Sequence, residues 1–161
     1  MSDGTASQSA PLVVERHDDV LLLRLNRPER LNAVSPAMYA ALNDTLRGVA
    51  DDRSVRSLVV TGTGRAFCVG ADLQAHGDAP LGRAARRAYA LEAQEVNRRL
   101  QTLPQPVVAA VNGHAIGAGL ELALSCDLIV VSRSAKLRLP EAALGTFVGG
   151  GVTYTLARRV G

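Results

Sequence analysis

The chain reads as a layered α/β protein in which strands feed helices through glycine-rich loops. Three observations predict this. Short apolar runs, VLLLRL, SLVVT, VVAAV and LIVV, recur along the chain, each about the length of one strand. Segments with helical spacing lie between them. Three loops crowded with glycine, GTGRAFCVGADL, NGHAIGAG and GTFVGGG, stand where a strand should hand the chain on to a helix. Such alternation implies a layered sheet with right-handed crossovers.

Each element has its own warrant. Residues 1–10 are polar and read as a flexible tail ahead of a core domain over 11–161. Leu12–Glu15 is a short strand, turned by Asp18-Asp19 into a second strand, Val20–Leu25. Asn26–Arg30 is a polar loop, because Pro28 cannot donate to a ladder. Ser35-Pro36 opens a helix, with serine as N-cap and proline in the first turn. That helix runs to about Val49 and offers Met38, Leu42, Thr45 and Leu46 to one face. Ser57–Thr61 is a strand, and Gly62–Leu73 an unusual loop. Gln74–Pro80 is polar. Gly82–Leu103 is a long helix whose Arg83, Arg86, Arg87, Arg98 and Arg99 read as a solvated face, with contact to ligand phosphates as the alternative. Lys136–Leu139 is a short strand, Pro140-Glu141 starts a short helix or turn, and Val152–Val160 is a last helix.

Composition narrows the function classes. At 161 residues the chain is one domain or part of one, and 47% apolar residues suffice for a core. Aromatic residues make up only 3%, with no tryptophan, which argues against stacking platforms for single-stranded nucleic acid. The net charge of +3 is carried almost wholly by arginine and suits a small anionic ligand as well as a solvated surface. Cys68 and Cys126 have neither metal-site spacing nor a disulfide framework. The N-terminus has no hydrophobic signal region, and no apolar run approaches membrane-spanning length. A soluble, cytoplasmic protein is expected, with no metal and no nucleic-acid or membrane partner.

The chemistry concentrates in Val107–Val131, VVAAVNGHAIGAGLELALSCDLIVV. A buried strand leads through Gly113, Gly117 and Gly119 into a helix from about Ala118 to Cys126, and LIVV follows as a strand. The first N–H groups of a helix lack internal partners and lie at the positive end of its dipole. They suit a phosphate or a developing oxyanion. A dinucleotide fingerprint fits poorly. Asn112–Ile116 separate the glycines from the strand, and Val130–Ser132 offers no ribose-binding acid. A phosphate loop at Gly62–Leu73 fails for want of the lysine after its last glycine. An oxyanion hole beside a carboxylate, Glu121, is the competing reading. Among the remaining candidates, Asp127 reads as structural and His114 as a satisfied core histidine in a turn. His17 and His76 read as surface residues, and Cys68 lacks a neighbouring base that would make it a nucleophile.

Four segments taken in order, NRPERLNAVS, GTGRAFCVGADL, LPQPVVAAVNGHAIGAGLELALSCDLIVVS and LPEAALG, resemble the enoyl-CoA hydratase/isomerase, or crotonase, family. The resemblance covers about Val20 to Gly161. It implies a spiral of repeated ββα units, an acyl-CoA thioester as ligand, and chemistry through a thioester enolate with no metal or redox cofactor, coenzyme A being part of the substrate. By the same resemblance the backbone N–H groups of Ala71 and Ala118 correspond to the oxyanion-hole donors. Val69, Gly70, Ala71, Asp72, Leu73 and Ala118 line the substrate path. Glu121 and Glu141 correspond to the two catalytic glutamates. Asp72 is expected to fix its loop as a hydrogen-bond acceptor.

These residue types fit the chemistry. Adding water across a conjugated thioester places negative charge on the carbonyl oxygen, and losing one preorganised donor there costs about 10²–10³ in rate. Two carboxylates can hold one water and divide its deprotonation from protonation at Cα. Glu121 is expected to activate water and Glu141 to serve Cα. The expected activity is reversible syn hydration of a 2-enoyl-CoA to a 3-hydroxyacyl-CoA. Another acyl-CoA reaction of the family, as isomerase, dehydratase or hydrolase, is the alternative, and a non-catalytic acyl-CoA-binding role a further one. Val148 stands where the family often has proline, so the acyl preference is expected to differ from that of fatty-acid hydratases. Family members are longer. The chain is therefore expected to lack their C-terminal helical part, which supports trimers or hexamers.

Overall fold

The structure, a computed structural model, describes residues 10–72 and 82–161. Two sheets organise it. The larger has five strands in the order β1 (Leu12–His17), β2 (Val20–Leu25), β3 (Ser57–Gly62), β5 (Val107–Val111) and β7 (Leu128–Val131). Only the β1–β2 hairpin is antiparallel; the other pairings are parallel. The smaller sheet is β4 (Ala66–Cys68), β6 (His114–Ile116) and β8 (Leu137–Arg138), all parallel. Among the described residues four α-helices accompany them: α1 (Pro36–Asp51), α2 (Arg83–Thr102), α3 (Ala118–Leu124) and α4 (Val152–Val160).

The expected ββα repeat is visible in this order. β3 and β4, β5 and β6, and β7 and β8 each place one strand in the large sheet and the next in the small one. α2 follows the first pair and α3 the second. A 3-10 turn, Glu141–Leu144, and then α4 follow the third. β4 and β6 lie in segments that read as loops by sequence. They are only three residues long, too short for any alternation to register. His114 accordingly sits in a strand rather than a turn. It is half-buried, and its Nδ1 accepts the Lys136 N–H at 3.2 Å.

The long elements form for local reasons. In β2, Leu21, Leu23 and Leu25 face the core while Val20, Leu22 and Arg24 are half-buried, the two-residue period of a strand covered on one side. Ser35 Oγ accepts the Met38 N–H at 3.3 Å and so caps α1, whose Met38, Tyr39, Leu42, Leu46 and Val49 are buried. The C-terminal end of α1 is closed from a distance: Gln105 Nε2 donates to Val49 O at 2.9 Å. Along α2 only Val96, Asn97 and Leu100 are buried. Arg83, Arg86, Arg87 and Arg98 are exposed, as a solvated face requires, whereas Arg99 is half-buried against Glu95 at 2.7 Å. Asp127 is structural: its Oδ2 accepts the Val107 N–H at 2.8 Å and ties the end of the helical segment to the start of β5.

The segment between β2 and α1 is knotted around Asn32. This residue is fully buried with φ +57°, a left-handed conformation that asparagine tolerates better than most residues. Its Oδ1 accepts the Arg27 N–H at 2.9 Å, and its Nδ2 donates to Thr63 O at 2.9 Å and Ala66 O at 2.8 Å. Removing the amide takes a partner from one buried and two half-buried groups. Asn32→Ala should lower the unfolding free energy by roughly 2–4 kcal/mol in urea titrations, well above an ordinary surface substitution.

Candidate active site

Ala71 follows β4 and forms an isolated parallel bridge with Val34. The Val34 N–H donates to Gly70 O at 2.8 Å, and the Asp72 N–H donates to Val34 O at 3.0 Å. In a trans peptide the carbonyl and the N–H point in opposite directions. With the Gly70 carbonyl pinned to Val34, the N–H of the same peptide, that of Ala71, points away from Val34. Gly70 itself has φ +104°, and a Cβ there would lie 3.2 Å from Ile116 O and 3.8 Å from Ala118 N. The peptide carrying the Ala71 N–H therefore packs beside the one carrying the Ala118 N–H.

Ala118 is the first residue of α3, and its N–H has no acceptor within the helix. The preceding residue, Gly117, has φ +54° and ψ −125°, a backbone region closed to residues with a Cβ. Its own N–H donates to Arg138 O at 2.8 Å, which anchors the turn to β8. One turn edge of α3 lies directly on β4, because a Cβ at Gly119 would overlap the Cys68 carbonyl. Burial around Cys68 pushes its thiol up to about 12. The thiolate is then scarce, and no nucleophilic role falls to it.

The two glutamates stand on either side of this turn. Glu121 is in the first turn of α3, only 7% exposed, between the buried Leu120 and Leu122. Its Oε1 accepts the Gly149 N–H at 2.9 Å. Burial holds its carboxyl above the usual glutamate range. The N–H groups of Gly150 and Gly149 oppose that shift, and the nearby Glu141 adds to it. Glu141 begins the 3-10 turn after β8. Its Oε1 lies over Gly117, 2.8 Å from where a Cβ would be, and its Oε2 is buried with no hydrogen-bond partner among the described residues. Val69 is half-buried and Gly70 buried in the same loop, and Asp72 is buried beneath it. Leu73 and His76 lie outside the described residues. Among the described residues, no group of three His, Cys, Asp or Glu side chains converges as metal ligands would.

Several supporting groups carry no recognisable pattern in the sequence. The third glycine-rich loop supplies a main-chain donor to Glu121, and Gly150 fits closely: a Cβ there would meet Asn97 Nδ2 and Glu121 Oε2, each at 2.8 Å. Asn97 is buried on α2, and its Oδ1 accepts the Ser125 hydroxyl at 2.9 Å. That network ties α2 to the far end of α3. Tyr39 and Tyr89 stack edge to face with ring centroids 5.4 Å apart, and Tyr89 Oη donates to Val34 O at 3.2 Å. Arg27 pairs with Asp72 at 2.7 Å. Only the run of glycines in GTFVGGG was available to mark any of these residues.

Burial of Glu121 has a consequence for stability. In the unfolded chain it titrates near 4.5, and in the folded protein higher. The folded state then binds the proton more readily, so this group's contribution falls as pH rises through the folded value. Glu121→Gln, which keeps an acceptor for Gly149, should raise the urea midpoint at neutral pH. The gain should fade as pH falls below the usual glutamate range, and a gain that did not change with pH would contradict the assignment.

Comparison with known proteins places this geometry in a family. The profile described as Enoyl-CoA hydratase/isomerase matches residues 15–161. The chain is 41% identical over 150 residues to the 2,3-dehydroadipyl-CoA hydratase of Escherichia coli, covering 93% of this chain and 57% of that protein. It is 42% identical over 144 residues to the 1,2-epoxyphenylacetyl-CoA isomerase of the same organism, covering 88% and 55%. The crystal structure of an enoyl-CoA hydratase from Bacillus anthracis superposes with a TM-score of 0.87 at 33% identity, covering 92% of this chain and 57% of that one. The chain thus spans a little over half the length of these relatives. Over that span, sequence and fold agree: the chain belongs to the enoyl-CoA hydratase/isomerase family and has the crotonase fold.

Proposed function

We propose that the protein hydrates a 2-enoyl-CoA thioester reversibly to the 3-hydroxyacyl-CoA. One observation carries this reading: two carboxylates, Glu121 and Glu141, flank the Gly117 turn beside the adjacent Ala71 and Ala118 peptides. The thioester oxygen accepts from the Ala71 and Ala118 N–H groups. Glu121 takes a proton from water as the water oxygen bonds to Cβ. The π electrons move toward Cα, and the enolate charge gathers on the oxygen held by the two amides. Cα then receives a proton from the Glu141 side, which closes the syn addition. The raised basicity of Glu121 favours its part, since a carboxylate displaced upward is a stronger proton acceptor when ionised. The buried Oε2 of Glu141, without a hydrogen-bond partner among the described residues, suits transfer to and from a bound substrate.

The adenine and pantetheine parts of the CoA thioester meet Val69, Gly70, Ala71 and Asp72, and the loop around Val148 shapes the acyl pocket. Neither metal nor redox cofactor enters a step of this reaction. A cytoplasmic setting, expected from the sequence, and assembly into trimers or pairs of trimers, implied by the family resemblance, belong to the same reading. A double-bond isomerase is the second reading, favoured by similarity to the isomerase from Escherichia coli.

Mass-spectrometric turnover of enoyl-CoA and 3-hydroxyacyl-CoA thioesters by the full chain separates these readings. Gain or loss of one water is expected; a change of retention without change of mass would indicate isomerisation instead. Replacing either glutamate by glutamine should cost about 10²–10⁴ in kcat with thioester binding retained. Undiminished turnover by the Glu121→Gln/Glu141→Gln double variant would remove both residues from the mechanism.

A further inference from the structure

Resting on the oxyanion-hole reading above, we propose that Arg27 is a positioning residue. By clamping Asp72 and Ala33, it holds the Gly70–Ala71 peptide so that the Ala71 N–H meets the thioester oxygen.

The donor needs such support. Among the described residues the Val34–Ala71 bridge is isolated. It consists of two hydrogen bonds, Val34 N–H to Gly70 O at 2.8 Å and Asp72 N–H to Val34 O at 3.0 Å. Arg27 crosses it on the outside. Its Nη2 lies 2.7 Å from Asp72 Oδ2, one residue beyond Ala71. Its Nη1 donates to Ala33 O at 2.7 Å, one residue before Val34. One planar guanidinium therefore joins both sides of the bridge, with two nitrogens fixed in the same fork. The pair is largely shielded, at 20% and 8% side-chain exposure, so losing one partner would leave the other charge poorly solvated.

The arginine is itself anchored. Its N–H donates to Asn32 Oδ1 at 2.9 Å, and its carbonyl accepts the Asn32 N–H at 2.9 Å. Asn32 Nδ2 grips Ala66 O at 2.8 Å. The segment from Ala66 to Asp72 is thus held at both ends from one short loop, by Asn32 at its start and by Arg27 at its finish. A hydrogen bond weakens steeply with misalignment, and an oxyanion donor must sit about 2.7–3.1 Å from the developing charge. Small rotations of the Gly70–Ala71 peptide would then register in the transition state more than in ground-state binding. Arg27 acts only through Asp72 and the bridge.

The test uses the full chain carrying Arg27→Met, Arg27→Lys or Asp72→Asn. An aryl-conjugated enoyl-CoA thioester serves as probe, because its ultraviolet band moves to the red when bound donors polarise the carbonyl. In the parent a red shift is expected. In Arg27→Met and Asp72→Asn it should largely vanish while probe affinity holds within about threefold. The kcat for hydration should fall by about 10–100-fold, less than the roughly 10²–10³ expected for outright loss of one donor. Arg27→Lys should restore part of both signals, and combining Arg27→Met with Asp72→Asn should cost no more than either alone. A folded Arg27→Met or Asp72→Asn protein with the parent's red shift and kcat overturns the proposal. Failure of both to fold would make the clamp a folding element and overturn it equally. A parent that binds the probe without any red shift would instead sink the oxyanion-hole reading, and this inference with it.

Discussion

Main chain packed directly on main chain is the constraint from which the site follows. α3 can begin where it does only because Gly119 lies on the Cys68 carbonyl and Gly70 lies against Ile116 and Ala118. Side chains at those points would hold β4 and α3 apart. With them absent, two peptide N–H groups from distant segments come side by side. Both are fixed by the backbone and carry no rotamer entropy. Such donors are preorganised by the fold itself, the property that makes them effective against a developing charge. On the proposed reading the donor at Ala71 and Ala118 is the peptide, so the side chain there need only be small.

The carboxylates are placed against the grain of the core. Glu121 sits among Leu120, Leu122 and Ala123, where an apolar residue would pack at lower cost. A main-chain N–H from Gly149 compensates part of that cost. Asn97 and Ser125 brace the helix that carries it. Local rules broken in this way, with the break supported by a dedicated loop and a buried polar network, mark functional positions more often than structural accidents. Glu141 completes the arrangement from the neighbouring strand of the same sheet: it follows β8, and Glu121 follows β6, in the three-stranded sheet.

The ββα spiral brings these parts together. After the β1–β2 hairpin, each turn sends a long strand to the five-stranded sheet and a short one to the three-stranded sheet. The long strands are legible from apolar runs, α1 from its serine cap and apolar face, and α2 and α4 from their helical pattern. Of the short strands, β8 is legible as Lys136–Leu139, whereas β4 and β6 are not. Three residues cannot show a period, and β4 and β6 exist because their partners are already in place. Sequence inspection therefore found strand, loop and helix where the protein has strand, strand and helix.

A similar division holds at the site. Glycines at the turns, the serine cap of α1, and a glutamate lodged in an apolar helical run are local facts, and the sequence by itself determined them. Resemblance to a known family singled out Glu141, Ala71 and Ala118, which local pattern alone could not. Tertiary structure decided the rest: that Arg27 reaches Asp72, that Gly149 faces Glu121, that Asn97 sits behind both Ser125 and Gly150. The physical reason is that a main-chain donor has no signature in residue identity. A bond between residues 28 or 45 positions apart likewise exists only once the intervening strands have set the distance.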